Sequence, residues 1–105
     1  MIKTLCIDDS GKPENIPLSK WVKKDSFYNI VKVTIHPLQG NIQGCELAEI
    51  TLDESCSPYE YFRLDRFAFR KEDIPALISL IKNSSELNDV DIAKLIESEV
   101  EMINQ

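Results

Sequence analysis

The chain has 105 residues, is 43% hydrophobic and 29% charged, and carries a formal charge of −6. That composition excludes a disordered or membrane-spanning chain and allows one real core without disulfides. Its 18 acids against 12 bases argue against a nucleic-acid binder driven by net charge, though not against a local basic stripe.

Residues 2–7 form a β-branched and apolar run that reads as a strand. The run is too short for a signal-peptide core and is followed at once by Asp8-Asp9, and no stretch approaches the roughly 18 apolar residues of a membrane span. A cytoplasmic location is expected. Residues 8–13 are a turn cluster in which Asp and Ser bond back to their own backbone and Gly11 supplies a positive φ. Residues 16–21 read as an extended connector whose apolar members cover a sheet end, and residues 23–26 as a second turn.

Residues 27–35 are the clearest strand, with Phe27, Val31, Val33 and Ile35 on one face, Tyr28, Ile30, Lys32 and Thr34 on the other, and Pro37 as its end. Residues 38–44 then form a loop in which Gly40 and Gly44 are turn glycines. A third strand is expected over 45–52, followed by a turn over 53–58. Residues 59–69 hold five of the eight aromatics and form one bent strand or two short ones around Asp65. Turn signals between short strands at this spacing indicate a small barrel or sandwich.

Near residue 70 the apolar period becomes helical. Ile74, Leu77, Ile78 and Ile81 make one helix face over residues 72–82 that covers the sheet, with Glu72, Asp73 and Pro75 in its first turn. Residues 83–85 end it. A second helix follows, N-capped by Asn88 or Asp89, with an apolar stripe of Ile92, Leu95, Ile96, Val100 and Ile103. Residues 86–105 carry six acids against Lys94 alone, a net charge of −5. A stripe of five large aliphatics must be buried, so a homo-oligomer through residues 88–105 is one expectation, beside packing on the barrel, docking of a basic partner, or an acidic helix that mimics nucleic acid.

The segment Trp21-Val22-Lys23-Lys24-Asp25-Ser26-Phe27-Tyr28-Asn29-Ile30-Val31-Lys32-Val33 resembles small SH3-like barrels, in which an aromatic or apolar approach meets a Lys-Gly turn before a Tyr-x-Val strand. Asp25 stands where that pattern has Gly and tolerates the left-handed conformation better than most residues. Gly40, Gly44, Leu47, Glu49 and Ile50 match the glycine-containing loop and acid-ended strand that follow. Residues 2–80 are similar in manner to small uncharacterised bacterial and phage proteins of this kind. The resemblance supports a barrel, and with the two helices read from the apolar period the expected fold is an α+β domain over 1–105: an SH3-like antiparallel barrel of about five strands, or a strongly bent antiparallel sheet, in residues 1–70, and two helices in 71–105. It implies no catalytic residues, since such barrels host many functions.

The residues offer little chemistry. Cys6, Cys45 and Cys56 are odd in number and widely spaced, so they read as reduced thiols, the first two in the core and Cys56 as the exposed one. His36, the single histidine, reads as a strand-end residue rather than half of a Cys/His dyad. Neither zinc-ligand spacing nor a phosphate loop is present, and Asp8-Asp9-Ser10-Gly11 reads as a solvated turn. No metal, cofactor or catalytic group is expected.

Arg63, Arg66, Arg70 and Lys71 interleave with Tyr59, Tyr61, Phe62, Phe67 and Phe69, as they do where single strands are held. Core aromatics with rim arginines paired to acids explain the same pattern. Lys20, Lys23, Lys24 and Lys32 form a second basic edge or solubilise a strand edge. The expected function is a non-enzymatic binding or adaptor protein of a bacterium or phage, acting on a protein partner or small ligand. A nucleic-acid-associated barrel with a local basic-aromatic face and a phage-encoded inhibitor of a host system are the alternatives. Aromatics and Arg concentrate interface energy, which selects Trp21, Tyr28, Tyr59, Tyr61, Arg63 and Arg66 as candidate partner-binding residues.

Overall fold

Alternating burial builds the first strand, β1 (Ile2–Cys6): Ile2, Thr4 and Cys6 point inward and Lys3 outward. The computed structural model describes residues 1–36, 41–84 and 87–103. The readings placed on Pro37, Gly40 and Ser85, and on the side chain of His36, lie outside what is described.

β2 (Phe27–His36) pairs antiparallel with β1, from Ile2 opposite Ile30 to Leu5 opposite Phe27. The turn before β2 places Asp25 at φ 71°, in the left-handed region, and the Asp25 N–H donates to the Cys6 carbonyl at 2.8 Å. Strict alternation put Phe27, Val31, Val33 and Ile35 on one face. The structure corrects this: a bulge between Ile30 and Lys32 shifts the parity. Ile30, Val33 and Ile35 are buried together, while Phe27 and Val31 are 54% and 42% exposed. An extra residue in one strand reverses every later side chain.

β3 is Asn41–Leu47, so the third strand lies earlier than the expected 45–52 and takes in Gly44, which is a strand residue and not a turn glycine. It pairs antiparallel with β2. Residues 59–69 contain one short strand, β4 (Phe67–Phe69), preceded by a 3₁₀ turn at Leu64–Arg66 and an isolated antiparallel bridge between Cys45 and Phe62. Burial runs through the turn: Phe62 is buried before it, Leu64 and Arg66 within it, and Phe67, Ala68 and Phe69 after it. The connector is not extended throughout, for Leu18–Lys20 is a 3₁₀ turn that buries Ile16 and leaves Leu18 exposed.

The helices are α1 (Ile74–Ser84) and α2 (Asp89–Glu99). A 3₁₀ turn at Lys71–Asp73 precedes α1, so Glu72 and Asp73 stand before its first turn, and Arg70 donates to Asp73 at 2.8 Å. Leu77 and Ile81 are fully buried against the sheet, with Ile74 and Ile78 partly buried beside them. Asn88 caps α2 by accepting from the Asp91 N–H at 2.9 Å. α2 stops at Glu99, so the expected stripe does not run to Ile103. A two-residue strand, β5 (Glu101–Met102), pairs parallel with β4, and the Ile103 N–H donates to the Phe69 carbonyl. Ile92 and Ile96 are buried in the chain's own core, with Leu95 and Val100 packed against it. Burial of the stripe is met inside the chain, which removes the burial argument for sharing it across a subunit boundary.

The architecture is α+β: an open, mixed five-stranded sheet in the order β3-β2-β1-β4-β5, with two helices between β4 and β5. Parallel pairing requires such a crossover. The sheet is neither wholly antiparallel nor a closed barrel. Among the described residues, no helix is long and apolar enough to cross a membrane.

All three cysteines are free and buried, including Cys56, expected as the exposed one and fully enclosed at the end of a 3₁₀ turn (Glu54–Cys56). Burial pushes the Cys45 thiol up to about 12 and raises that of Cys6 as well. Alkylation without reductant is expected to label three thiols in denaturant and far fewer in the folded protein over the same time. Two missing labels in the denatured sample would reveal a disulfide and contradict the structure.

Candidate functional site

Two stretches without strands or α-helices, held by short 3₁₀ turns, meet beside the β3 edge. The first is the turn and connector over 8–21. Asp8 accepts from the Ser10 N–H at 2.9 Å and the Ser10 hydroxyl at 2.6 Å, bonds that hold its carboxyl below the usual range. Gly11 follows at φ 72°, a conformation glycine adopts without strain. Trp21 closes the stretch, its indole N–H donating to the Asp9 carbonyl at 2.8 Å.

The second stretch runs from Leu52 to Arg66. Asp53 accepts from Ser55 and pairs with Lys20; the Lys20 ammonium and then the Ser55 hydroxyl hold the Asp53 carboxyl at about 2. Asn15 donates to the Ser57 carbonyl at 3.0 Å. These two links tie the stretches together. Because the Asp53 carboxyl is depressed in the folded state, its contribution to stability is full above its ordinary value of 3.8 and is lost as pH falls through about 2. Asp53→Asn should therefore lower the urea midpoint at neutral pH, with the gap to the native chain closing near pH 2. A gap that persists unchanged there contradicts the assignment.

Between the stretches lies a cleft of about 230 Å³ lined by Gly11, Pro13, Ile16, Trp21, Leu52, Tyr59, Tyr61, Phe62, Arg63 and Arg66. Arg66 forms its floor. The guanidinium sits 4.9 Å from the Trp21 ring centre, and Nη1 donates to the carbonyls of Ser10 at 2.7 Å and Asp8 at 3.3 Å. Stacking a cation on an indole is worth about 0.5–2 kcal/mol, more as the site dries. Trp21 also lies against Phe62, ring centres 5.6 Å apart. Tyr59 and Tyr61, 44% and 37% exposed, form the outer wall. Arg63 stands at the rim, its fork on Asp65 at 3.1 and 2.6 Å.

Gly44 decides where Tyr61 can lie. A Cβ on Gly44 would sit 2.1 Å from the Tyr61 ring and 2.5 Å from the Phe62 carbonyl, so the absence of a side chain lets the 61–62 segment press onto β3. There the Cys45 N–H donates to the Phe62 carbonyl at 2.7 Å and the Phe62 N–H to the Cys45 carbonyl at 2.9 Å.

Of the six candidate residues, Trp21, Tyr59, Tyr61, Arg63 and Arg66 come together in this cleft. Tyr28 does not. Its ring packs edge-on to Phe67 at 6.4 Å, and its hydroxyl accepts from the Lys23 N–H at 2.8 Å, so it pins the 23–26 turn. Residue type alone missed Gly11, Ile16 and Leu52 as lining and Gly44 as the support of Tyr61. Of the second basic edge, Lys20 pairs with Asp53 and Lys32 with Glu46. Arg70 is committed to Asp73, away from the cleft. Among the described residues, no group of His, Cys, Asp and Glu is placed to hold a metal. No protein-family model, curated protein or solved structure matches the chain.

Proposed function

We propose that the chain is a non-enzymatic, cytoplasmic binding or adaptor protein that receives part of a protein partner or a small ligand in the Trp21–Arg66 cleft. The observation that carries this reading is the convergence of Trp21, Tyr59, Tyr61, Arg63 and Arg66 from distant parts of the chain onto one cavity. Truncation energies at interfaces concentrate on aromatics and arginines. The SH3-like reading of residues 1–70 draws support from the left-handed Asp25 turn and from the Cys45–Phe62 bridge, which brings the segment before β4 back to the free edge of β3. The high Cys45 value speaks against that thiol as a nucleophile, because a protonated thiol reacts poorly.

The nucleic-acid alternative draws less support. Phosphate tracking needs several free cations along one groove, whereas Lys20, Lys32 and Arg63 are each paired with a carboxylate.

Trp21 is the single tryptophan, so its emission reports on the cleft. Peptides selected on the full chain from a random displayed library are expected to shift that emission and to bind at least about tenfold more weakly to Tyr59→Ser. Binders that leave both emission and Tyr59→Ser affinity unchanged would place the binding surface elsewhere.

A further inference from the structure

Arg66 commits only part of its hydrogen-bonding capacity to its own chain. Nη1 serves the carbonyls of Asp8 and Ser10 and stands 3.8 Å from the Asp8 carboxylate, which Ser10 already occupies. Nε and Nη2 donate to none of the described residues. No buried side-chain nitrogen or oxygen among the described residues lacks a partner, so these two donors keep access to solvent, and Arg66 lines the cleft. Nη2 faces Gly11, 3.9 Å from where a Cβ would stand. A guanidinium whose side chain is only 10% exposed, stacked on an indole and with two nitrogens unspent, is a site prepared for a carboxylate.

The rest of the cleft is aromatic, and its size is restrictive. A volume of about 230 Å³ is below the roughly 300–1,000 Å³ of drug-sized sites and admits one large side chain. A polypeptide that fills the aromatic part and also reaches Arg66 must carry both groups on one residue. An internal Asp or Glu beside an apolar residue fails, because neighbours on an extended chain point to opposite sides and next-nearest neighbours stand about 7 Å apart. A chain terminus succeeds, since its side chain and α-carboxylate share one Cα.

We propose that the cleft captures the C-terminal residue of a partner polypeptide. The α-carboxylate lies on Nε and Nη2 of Arg66, and a large apolar side chain lies among Trp21, Tyr59 and Tyr61. This rests on the cleft reading above. The preceding residues of the partner have a path: a neighbouring groove of about 300 Å³ shares Leu52, Tyr61 and Phe62 with the cleft and adds Val31 and Ile50. A single carboxylate also suits a chain of charge −6 better than a polyphosphate does, since one short-range contact escapes repulsion that is screened beyond about 8 Å.

The test uses the full chain and N-acetyl-Gly-Gly-X peptides, X being Phe, Leu or Tyr, each as free acid and as C-terminal amide, followed through the Trp21 indole N–H resonance. The free acids are expected to shift it saturably and the amides to bind at least about tenfold more weakly. Arg66→Lys, which keeps the charge but loses the planar fork, is expected to narrow the acid–amide difference, and Arg66→Gln to erase it; the comparison on the unaltered chain stands even if those variants misfold. Acid and amide binding equally would overturn carboxylate capture and leave the cleft reading intact. So would an N-acetyl-Gly-Asp-Phe amide matching the free acids, which would assign Arg66 to an internal acid. N-acetyl-Phe binding as tightly as the tripeptide would overturn the polypeptide partner in favour of a small acid. No shift with any peptide at about 1 mM, or a shift with single-stranded oligothymidylate alone, would overturn the inference; with the second, the cleft reading falls too.

Discussion

Leu77→Ala is expected to destabilise the chain by about 2–5 kcal/mol, read as a drop in the urea midpoint with an unchanged slope. Leu77 is fully enclosed where α1 meets the sheet, in the same cluster as Val33, Phe69, Ile81 and Ile92. Truncation removes transfer energy and leaves a hole that close-packed neighbours fill only in part. For a domain whose total stability is typically about 5–15 kcal/mol, this is a large fraction. Ser79→Ala, on the exposed side of the same helix, is the control and should move the midpoint little. Equal effects at the two positions would mean that α1 does not present the face described.

Gly44→Ala is expected to cost about 1–3 kcal/mol and to alter the cleft as well. The added methyl would meet the Tyr61 ring at 2.1 Å and the Phe62 carbonyl at 2.5 Å. The ring can swing away, because Tyr61 is partly exposed. The carbonyl cannot move without breaking its 2.7 Å bond from the Cys45 N–H. Trp21 leans on Phe62, so displacement of the 61–62 segment should also shift Trp21 emission. A lowered midpoint together with changed emission is the expected result. An unchanged midpoint would show that the segment does not lie on β3 at Gly44.

The helices and their inward faces were legible because a 3.6-residue period repeats locally and needs no knowledge of distant partners. Ile74, Leu77, Ile78 and Ile81 are therefore placed as expected. The faces of β2 were legible only up to Ile30, since a bulge leaves no mark in the hydrophobic pattern. Cys56 illustrates the same limit: a thiol between two serines and before Pro58 has the composition of an exposed turn, yet the turn folds inward and encloses it. Gly44 carries the ordinary signal of a turn residue, and its role as a gap for Tyr61 depends on a contact 17 positions away.

The cleft itself was half legible. Side-chain type selected five of its lining residues, because large aromatics and arginines are the groups that a cavity-forming interface uses. It also selected Tyr28, which the same rule cannot separate from the others; burial against Phe67 and the bond from Lys23 give that residue a structural task instead. Nothing local shows that the 8–21 and 52–66 stretches meet, since the bonds joining them, Arg66 to Ser10 and Asn15 to Ser57, span 56 and 42 positions.

On the proposed function, the Trp21–Arg66 cleft is the binding surface. Hydrogen–deuterium exchange of the full chain, with and without a ligand selected by display, tests it most directly. Added protection is expected to centre on the amides of residues 10–21 and 52–66, which wall the cleft, and to extend to the adjoining groove at 46–51 where the ligand is a peptide. Protection centred on the β1–β2 end around Lys3 and Phe27, or on the acidic side of α2, with the cleft amides unchanged, would contradict it.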